Sequence, residues 1–286
     1  MTSGFLFLDK KAGETSTDYD RKAKRLFPST RCGHLGTLDP FASGLLILAL
    51  GDATGLFPYL DEGRKTYEAV LLLGEETDTL DPTGTVVQKS EVPPLTVSEI
   101  QASFSSFLGE KEQVPPSFSA VHVHGKRAYD LARKGESVPL PPRKVRIDSL
   151  ALLSYDEGKR QISFRTTVSK GTYIRSLGRD IALSLHTVGS LLSLRRTQIG
   201  PYSVKDARPL EDYLRSGPVP MPALFPESPV VEIPETKRKS AENGNPLRLN
   251  SAARRLFVSF NGVLLGFYER RDDGLYHCIR GFHHED

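Results

Sequence analysis

Residues 32–51, CGHLGTLDPFASGLLILALG, place His34, Thr37 and Asp39 in a glycine-rich stretch directly before an apolar run. Gly33, Gly36 and Gly44 permit sharp backbone turns and close approach of another molecule. A strand behind such a loop is a rigid mount for a reactive side chain, and an ionised carboxylate held there can act as a nucleophile. A competing role for Asp39 is helix N-cap with Pro40 at the first helical position, although Gly44 would leave that helix barely a turn long. The tetrapeptide TLDP recurs at residues 79–82 within EETDTLDPTG. There Asp78 and Asp81 read as turn residues that hydrogen-bond their own backbone, and two carboxylates alone do not make a credible metal site. Spacing alone does not choose between Asp39 and Asp81.

A second reactive candidate lies in VSKGTYIRSLGRDIALSL, residues 168–185. Gly171 ends a strand and Thr172 can N-cap the following helix, which puts Arg175 in its first turn. A cation there opposes the helix dipole by roughly 0.3–1 kcal/mol, so an anionic partner that also meets the helix N-terminus is expected. Tyr67, in RKTYEAVLLLG, shares a strand face with Ala69, Leu71 and Leu73. Most such tyrosines belong to the core; a stacking platform for a base is the less common role, to which Arg64 and Lys65 beside it add weight. In QVPPSFSAVHVHGKRAYDLARKG, residues 113–135, Lys126, Arg127, Arg133 and Lys134 can hold phosphates. His277, Cys278, His283 and His284 lack paired metal-ligand spacing and read as a solvated tail. No P-loop, dinucleotide fingerprint or zinc motif is present, so neither cofactor nor metal is expected.

The elements that must position these residues follow from periodicity. Strands are expected at 4–8, 45–50, 67–73, 118–123, 145–154, 162–168 and 191–199. Helices are expected at 16–26, 97–108, 126–134 and 172–185, the last with an apolar stripe of Ile174, Leu177, Ile181 and Leu185. Neighbouring strands without an intervening helix, as around Asp156–Gly158, argue for an α+β fold with a mixed, largely antiparallel sheet. Prolines crowd residues 209–234 and predict an extended linker. Beyond it, Asn261–Gly262 between two apolar runs predicts a hairpin in a piece too small for a strong core of its own, which must lean on the main domain or a partner.

A chain of 286 residues allows one large domain and a small one. No run approaches the roughly 18 apolar residues of a membrane span, and MTSGFLFLDKK lacks the features of a secretory signal. Cys32 and Cys278 are too few for a disulfide framework, so a reducing cytoplasm is the expected compartment. A net charge of +3 identifies no partner by itself. Basic clusters at 21–25, 126–127, 133–134, 143–146, 195–196, 237–239 and 254–255 fit a polyanion-binding face, although any one of them reads equally as solvated surface.

Six segments in order resemble the tRNA pseudouridine-55 synthase (TruB) family of bacteria. They are GFLFLDKKAGETS (4–16), GHLGTLDPFASGLL (33–46), KTYEA (65–69), QVPPSFSAVHVHGKRAYDLARKG (113–135), KGTYIRSLGRDIA (170–182) and LLSLRRTQIGPYSV (191–204). The resemblance selects Asp39 over Asp81. It implies that Asp39 is the nucleophile, that Tyr67 stacks on the target base and can act as a base, and that Arg175 pairs with Asp39; a guanidinium there is expected to depress the Asp39 pKa and keep it anionic at neutral pH. It implies that Leu194 lines the uracil pocket, while His34, Lys170 and Tyr173 help seat the flipped-out nucleotide. The fold implied is that of pseudouridine synthases, residues 1–226, followed by a small β-rich PUA-like RNA-binding domain, residues 227–286. His122 stands where the family usually has lysine, which puts a phosphate or backbone contact in doubt, and Lys11 replaces a usual proline.

The expected activity is isomerisation of uridine 55 in the tRNA T-loop to pseudouridine, after base flipping, by a cytoplasmic monomer with no cofactor and no obligate protein partner. The main rival is a non-catalytic RNA-binding or tRNA-folding protein on the same scaffold, which would need no Asp39–Arg175 pair. An RNA-guided synthase of the archaeal and eukaryotic type would carry a larger accessory domain. A metal-dependent hydrolase using Asp39, Asp78 and Asp81 is a distant third, which added chelator would test.

Overall fold

The computed structural model describes residues 2–28, 30–60, 63–119, 122–123, 126–127 and 140–283. Strand β1 (Gly4–Lys10) leads into helix α1 (Ser16–Leu26), then β2 (Cys32–Leu35), β3 (Ser43–Leu50) and β4 (Lys65–Leu73). A small hairpin, β5 (Glu75–Thr77) and β6 (Val86–Lys89), precedes α2 (Val97–Ser106) and β7 (Gly109–Gln113). Two-residue strands β8 (His122–Val123) and β9 (Lys126–Arg127) pair with each other. Then come β10 (Arg143–Asp156), β11 (Gln161–Val168), α3 (Ile174–Ser184), β12 (Gly189–Ile199) and β13 (Tyr202–Ser203). The chain ends with β14 (Val230–Glu232), α4 (Glu235–Glu242), β15 (Arg255–Phe260), β16 (Val263–Arg270) and β17 (Tyr276–Gly281).

The large sheet runs β1-β3-β12-β4-β11-β10-β7, with β2 on β3 and β13 on β12. All its pairings are antiparallel except β12 on β3, so the expected α+β fold with a mixed, largely antiparallel sheet is the one observed. Strict alternation buries Lys65, Tyr67, Ala69, Leu71 and Leu73 on one face of β4. Against that face α3 lays Ile174, Leu177, Ile181 and Leu185, its expected apolar stripe. Helix α1, closed by a Thr15–Asp18 capping box, covers β1 and β3 with Tyr19 and Ala23. No helix among the described residues is long and apolar enough to cross a membrane.

Three expectations change. The strand over 118–123 is confined, among the described residues, to His122–Val123. The helix over 126–134 does not begin at Lys126, because Lys126 and Arg127 form β9; Arg133 and Lys134 lie outside the described residues. The proline-rich stretch is not a free linker: Leu210, Tyr213, Met221, Leu224 and Phe225 are buried, and Tyr213 Oη donates to the Phe7 carbonyl at 3.1 Å. Apolar residues spaced between the prolines bury against β1, which outweighs the extended bias of the prolines.

The second sheet, β14-β15-β16-β17, turns at Asn261 (φ 49°) and Gly262 (φ 75°), the two left-handed residues that an Asn-Gly hairpin requires. It leans on the main sheet, since Phe257, Phe267 and Phe282 share one apolar cluster with Phe5, Phe7, Met221 and Phe225.

Gly44 sits where β3 meets β12, at φ 105°, and a Cβ there would lie 2.2 Å from the Arg196 carbonyl oxygen. Gly44→Ala is expected to cost about 2–5 kcal/mol, combining backbone strain with overpacking. Urea unfolding measures it; a loss below about 1 kcal/mol would mean that the close approach is not required.

Candidate active site

Asp39 lies in the connection between β2 and β3, and both of its neighbours are tied down. The Leu38 amide donates to Ser16 Oγ at 3.0 Å, and the Pro40 carbonyl accepts from the Gly13 amide at 2.8 Å. Lys10, fully buried at the end of β1, directs its ammonium at the carbonyls of Glu14, Lys11 and Pro40 at 2.5, 3.1 and 3.4 Å. Burial pulls the Lys10 pKa down to about 8, with Glu14 and Asp39 resisting. Asp39 caps no helix; its carbonyl closes a single turn with the Ala42 amide at 3.0 Å.

Arg175 comes from α3, whose N-cap is Tyr173 rather than Thr172. Thr172 instead closes the preceding turn, donating from Oγ1 to the Ser169 carbonyl at 2.9 Å. Arg175 therefore stays in the first turn, 4% exposed, and the anionic partner expected of it is double. Its Nη2 donates to Asp39 Oδ1 at 3.2 Å and to the Phe118 carbonyl at 2.9 Å. Its Nε stands 2.9 Å from Asp39 Oδ2, without the angle of a hydrogen bond. Its Nη1 donates to the Thr79 carbonyl at 2.8 Å and lies 3.6 Å from Asp81 Oδ2. Two carboxylates so placed outweigh the unfavourable dipole.

Sequence reasoning read Asp81 first as a turn residue and did not connect it to Arg175. It is one: Oδ1 accepts from Thr79 Oγ1 and the Thr83 amide at 2.8 and 2.9 Å, and Asp78 Oδ1 accepts from the Thr85 amide. Its other oxygen, however, faces Arg175 across nearly a hundred residues of sequence. Among the described residues no group of three or more His, Cys, Asp or Glu is arranged to hold a metal ion.

The charge balance corrects one expectation. Burial pushes the Asp39 carboxyl above the ordinary carboxylate range; Arg175 opposes that shift and the Asp81 charge adds to it. Arg175 holds Asp39 in place, but it does not drive its pKa below that of a free aspartate.

Asp39, Tyr67, Tyr173, Arg175 and Leu194 line one cavity of about 210 Å³, together with Lys65, Arg143, Ser169 and Arg196. His34 is not among the lining residues; its Nδ1 lies 2.8 Å from Asp20 Oδ2 and its Nε2 3.0 Å from Oγ1 of Thr37, which does line the cavity. Lys170 is exposed and outside the lining. Lys126 and Arg127 are described by their backbone alone, as is His122; His284 lies outside the described residues.

From sequence, Arg143 and Arg196 entered only as members of basic clusters and Lys65 only as a neighbour of Tyr67; none was placed in the site. The Arg195–Arg196 cluster is no polyanion-binding face. Arg196 is 1% exposed and donates to the carbonyls of Leu45 and Gly36, both at 2.9 Å, while Arg195 pairs with Asp9 at 2.7 Å. The alternation of β12 carried the signal, since Leu194 and Arg196 must share a face.

Comparison with known proteins shows the family. The family model described as TruB family pseudouridylate synthase (N terminal domain) matches residues 24–174. The tRNA pseudouridine synthase B of Gluconacetobacter diazotrophicus is 44% identical over 231 residues, 81% of this chain and 73% of that one. That of Oenococcus oeni is 36% identical over 298 residues, the full length of both. That of Rhodopseudomonas palustris is 46% identical over 209 residues, 73% of this chain but 57% of the relative. Among solved structures, an H/ACA RNP bound to a substrate RNA containing 2'-deoxyuridine superposes with a TM-score of 0.67 at 21% identity, covering 99% of this chain and 86% of that one. At that identity the likeness is one of fold.

Proposed function

Because the chain belongs to the TruB family of pseudouridylate synthases and isomerises uridine in tRNA, we propose that its target is uridine 55 of the T-loop and that Asp39 is its nucleophile. The observation that carries the second half is the Asp39–Arg175 pair in the lining of a cavity it shares with Tyr67 and Leu194. The position and the loop rest on the likeness of segments 33–46 and 170–182 to the family.

Isomerisation breaks the bond from uracil N1 to ribose C1', turns the base, and joins C5 to C1'. The C5 proton leaves and N1 gains one, so nothing else enters or departs. Asp39 supplies the electron pair that adds to the sugar or the base. Arg175 fixes the carboxylate and balances its charge. Tyr67 lies under the base and its phenol can take the C5 proton. Leu194 keeps water from the cleaved sugar. A uridine stacked in a folded loop must be flipped out at a cost of a few kcal/mol, offset by phosphate and shape contacts along the RNA. In this reading residues 1–226 carry the chemistry and the small sheet, within 227–286, is a PUA-like RNA-contact domain. The enzyme acts as a monomer on the T-arm.

The test is tritium release from a T-arm hairpin carrying 5-tritiated uridine at the target position. Release by the wild type, lost when that uridine is replaced by cytidine, is expected. Tight binding without release would move the reading to an RNA-binding protein on the same scaffold.

A pH profile follows from the charges. Asp39 reacts as the anion, and its pKa is raised above about 3.9, the ordinary aspartate value. The single-turnover rate therefore climbs with pH through that raised value and levels off above it. Asp81→Asn removes a like charge, so its acid limb should move to lower pH while turnover persists. A limb unmoved or moved upward would refute the coupling between the two carboxylates.

A further inference from the structure

Arg143 opens β10, lines the cavity, and faces Gln113 of β7 across the sheet edge. The Gln113 side chain clamps Tyr173, with Oε1 accepting from its amide at 2.8 Å and Nε2 donating to its carbonyl at 3.1 Å. That clamp sets the Tyr173 ring beneath the Arg143 guanidinium, whose centre lies 4.2 Å from the ring centroid. The other arginines of the cavity are committed: Arg175 to two aspartates and two carbonyls, Arg196 to two carbonyls. Arg143 makes no hydrogen bond or ion pair with the described residues, and its Nε is closed off from solvent without a partner. A planar cation is thus held by stacking with its two Nη donors uncommitted, in the lining of the cavity that also holds Asp39.

Any nucleotide that enters brings at least one phosphodiester towards Asp39, where like charges repel. A fixed guanidinium in the cavity lining is the group that would neutralise that phosphate, through its two Nη donors, whose parallel geometry suits phosphate oxygens. We propose that Arg143 grips a phosphodiester flanking the flipped uridine, an inference that rests on the uridine occupying this cavity. Arg143 then contributes to binding, and the chemistry at the base proceeds without it.

The experiment uses the full chain and T-arm hairpins with a single neutral methylphosphonate 5' or 3' of the target uridine. The adjacent 2'-hydroxyl is methylated in these and in the phosphate controls, to keep the linkage intact. On the control hairpin, Arg143→Gln should raise KM about tenfold and leave kcat within about twofold. One of the two methylphosphonates should raise the wild-type KM by a similar factor, yet leave Arg143→Gln no worse than it already is. Arg143→Lys should recover part of the loss, and the Arg143→Gln salt slope should be shallower by about 0.7.

Losses that multiply at both positions would overturn the assignment, as would a fall in kcat at constant KM. An unmodified hairpin that the wild type fails to convert would overturn the underlying reading and this one with it. Conversion of that hairpin by the wild type separates the two failures.

Discussion

Asp39→Asn will still bind the T-arm hairpin within about threefold of the wild type and will lose tritium release by roughly 10⁴-fold or more, as expected when a nucleophile is removed from an otherwise intact site. The asparagine keeps one carbonyl oxygen where Arg175 Nη2 now meets Asp39 Oδ1, so the guanidinium retains an acceptor. The loop is held by Ser16 and Gly13 rather than by the carboxylate itself, so the backbone should not move. Single-turnover release and filter binding on the same preparation check both halves. Turnover within about tenfold of the wild type would remove Asp39 from the role of nucleophile. A collapse of binding would mean that the carboxylate organises the cavity instead.

Arg175→Met should be the most destabilising single change in the cavity, by about 3–5 kcal/mol, because it strands the buried Asp81 carboxylate, and the half-buried Asp39, without a counter-charge. Asp81 bears most of that cost: its side chain is 6% exposed against 35% for Asp39, which water can still reach. The carbonyls of Thr79 and Phe118 lose their donors as well. Adding Asp81→Asn to Arg175→Met should recover part of the stability and none of the activity, since Asp39 remains without its guanidinium. Urea unfolding of the two single variants and the double variant measures the coupling. Strict additivity would show that Arg175 and Asp81 are neighbours without being partners.

Much of this site could be read from sequence, because its residues obey local rules. The face of Tyr67 follows from the alternation of β4 and the place of Arg175 from the glycine after β11 and the stripe that defines α3, whereas local pattern left Asp39 and Asp81 undecided and only the family resemblance chose Asp39. The two-sheet plan followed from strand spacing and the Asn-Gly turn. Asp81 was misjudged because its partner is remote in sequence, and no local pattern reports a contact made across the sheet. Arg196 was misjudged because a run of two arginines looks like surface until the strand's register buries every second residue. The proline-rich stretch was misjudged because its prolines were weighed and its scattered apolar residues were not. The sign of the Asp39 shift depends on how much solvent a loop loses on folding, and sequence does not contain that quantity.

The shared ring cluster has a consequence for how the molecule comes apart. Phe257 and Phe267 lie 4.6 Å apart and meet Phe225 at 5.5 and 5.1 Å, in the same cluster as Phe5 and Phe7 of β1. Cutting the chain after residue 226 would therefore strip the apolar cover from the strand that carries Lys10 at its far end. The seam between the sheets is a weld rather than a hinge, and damage to a ring in β16 is felt, through β1, beneath the loop that holds Asp39.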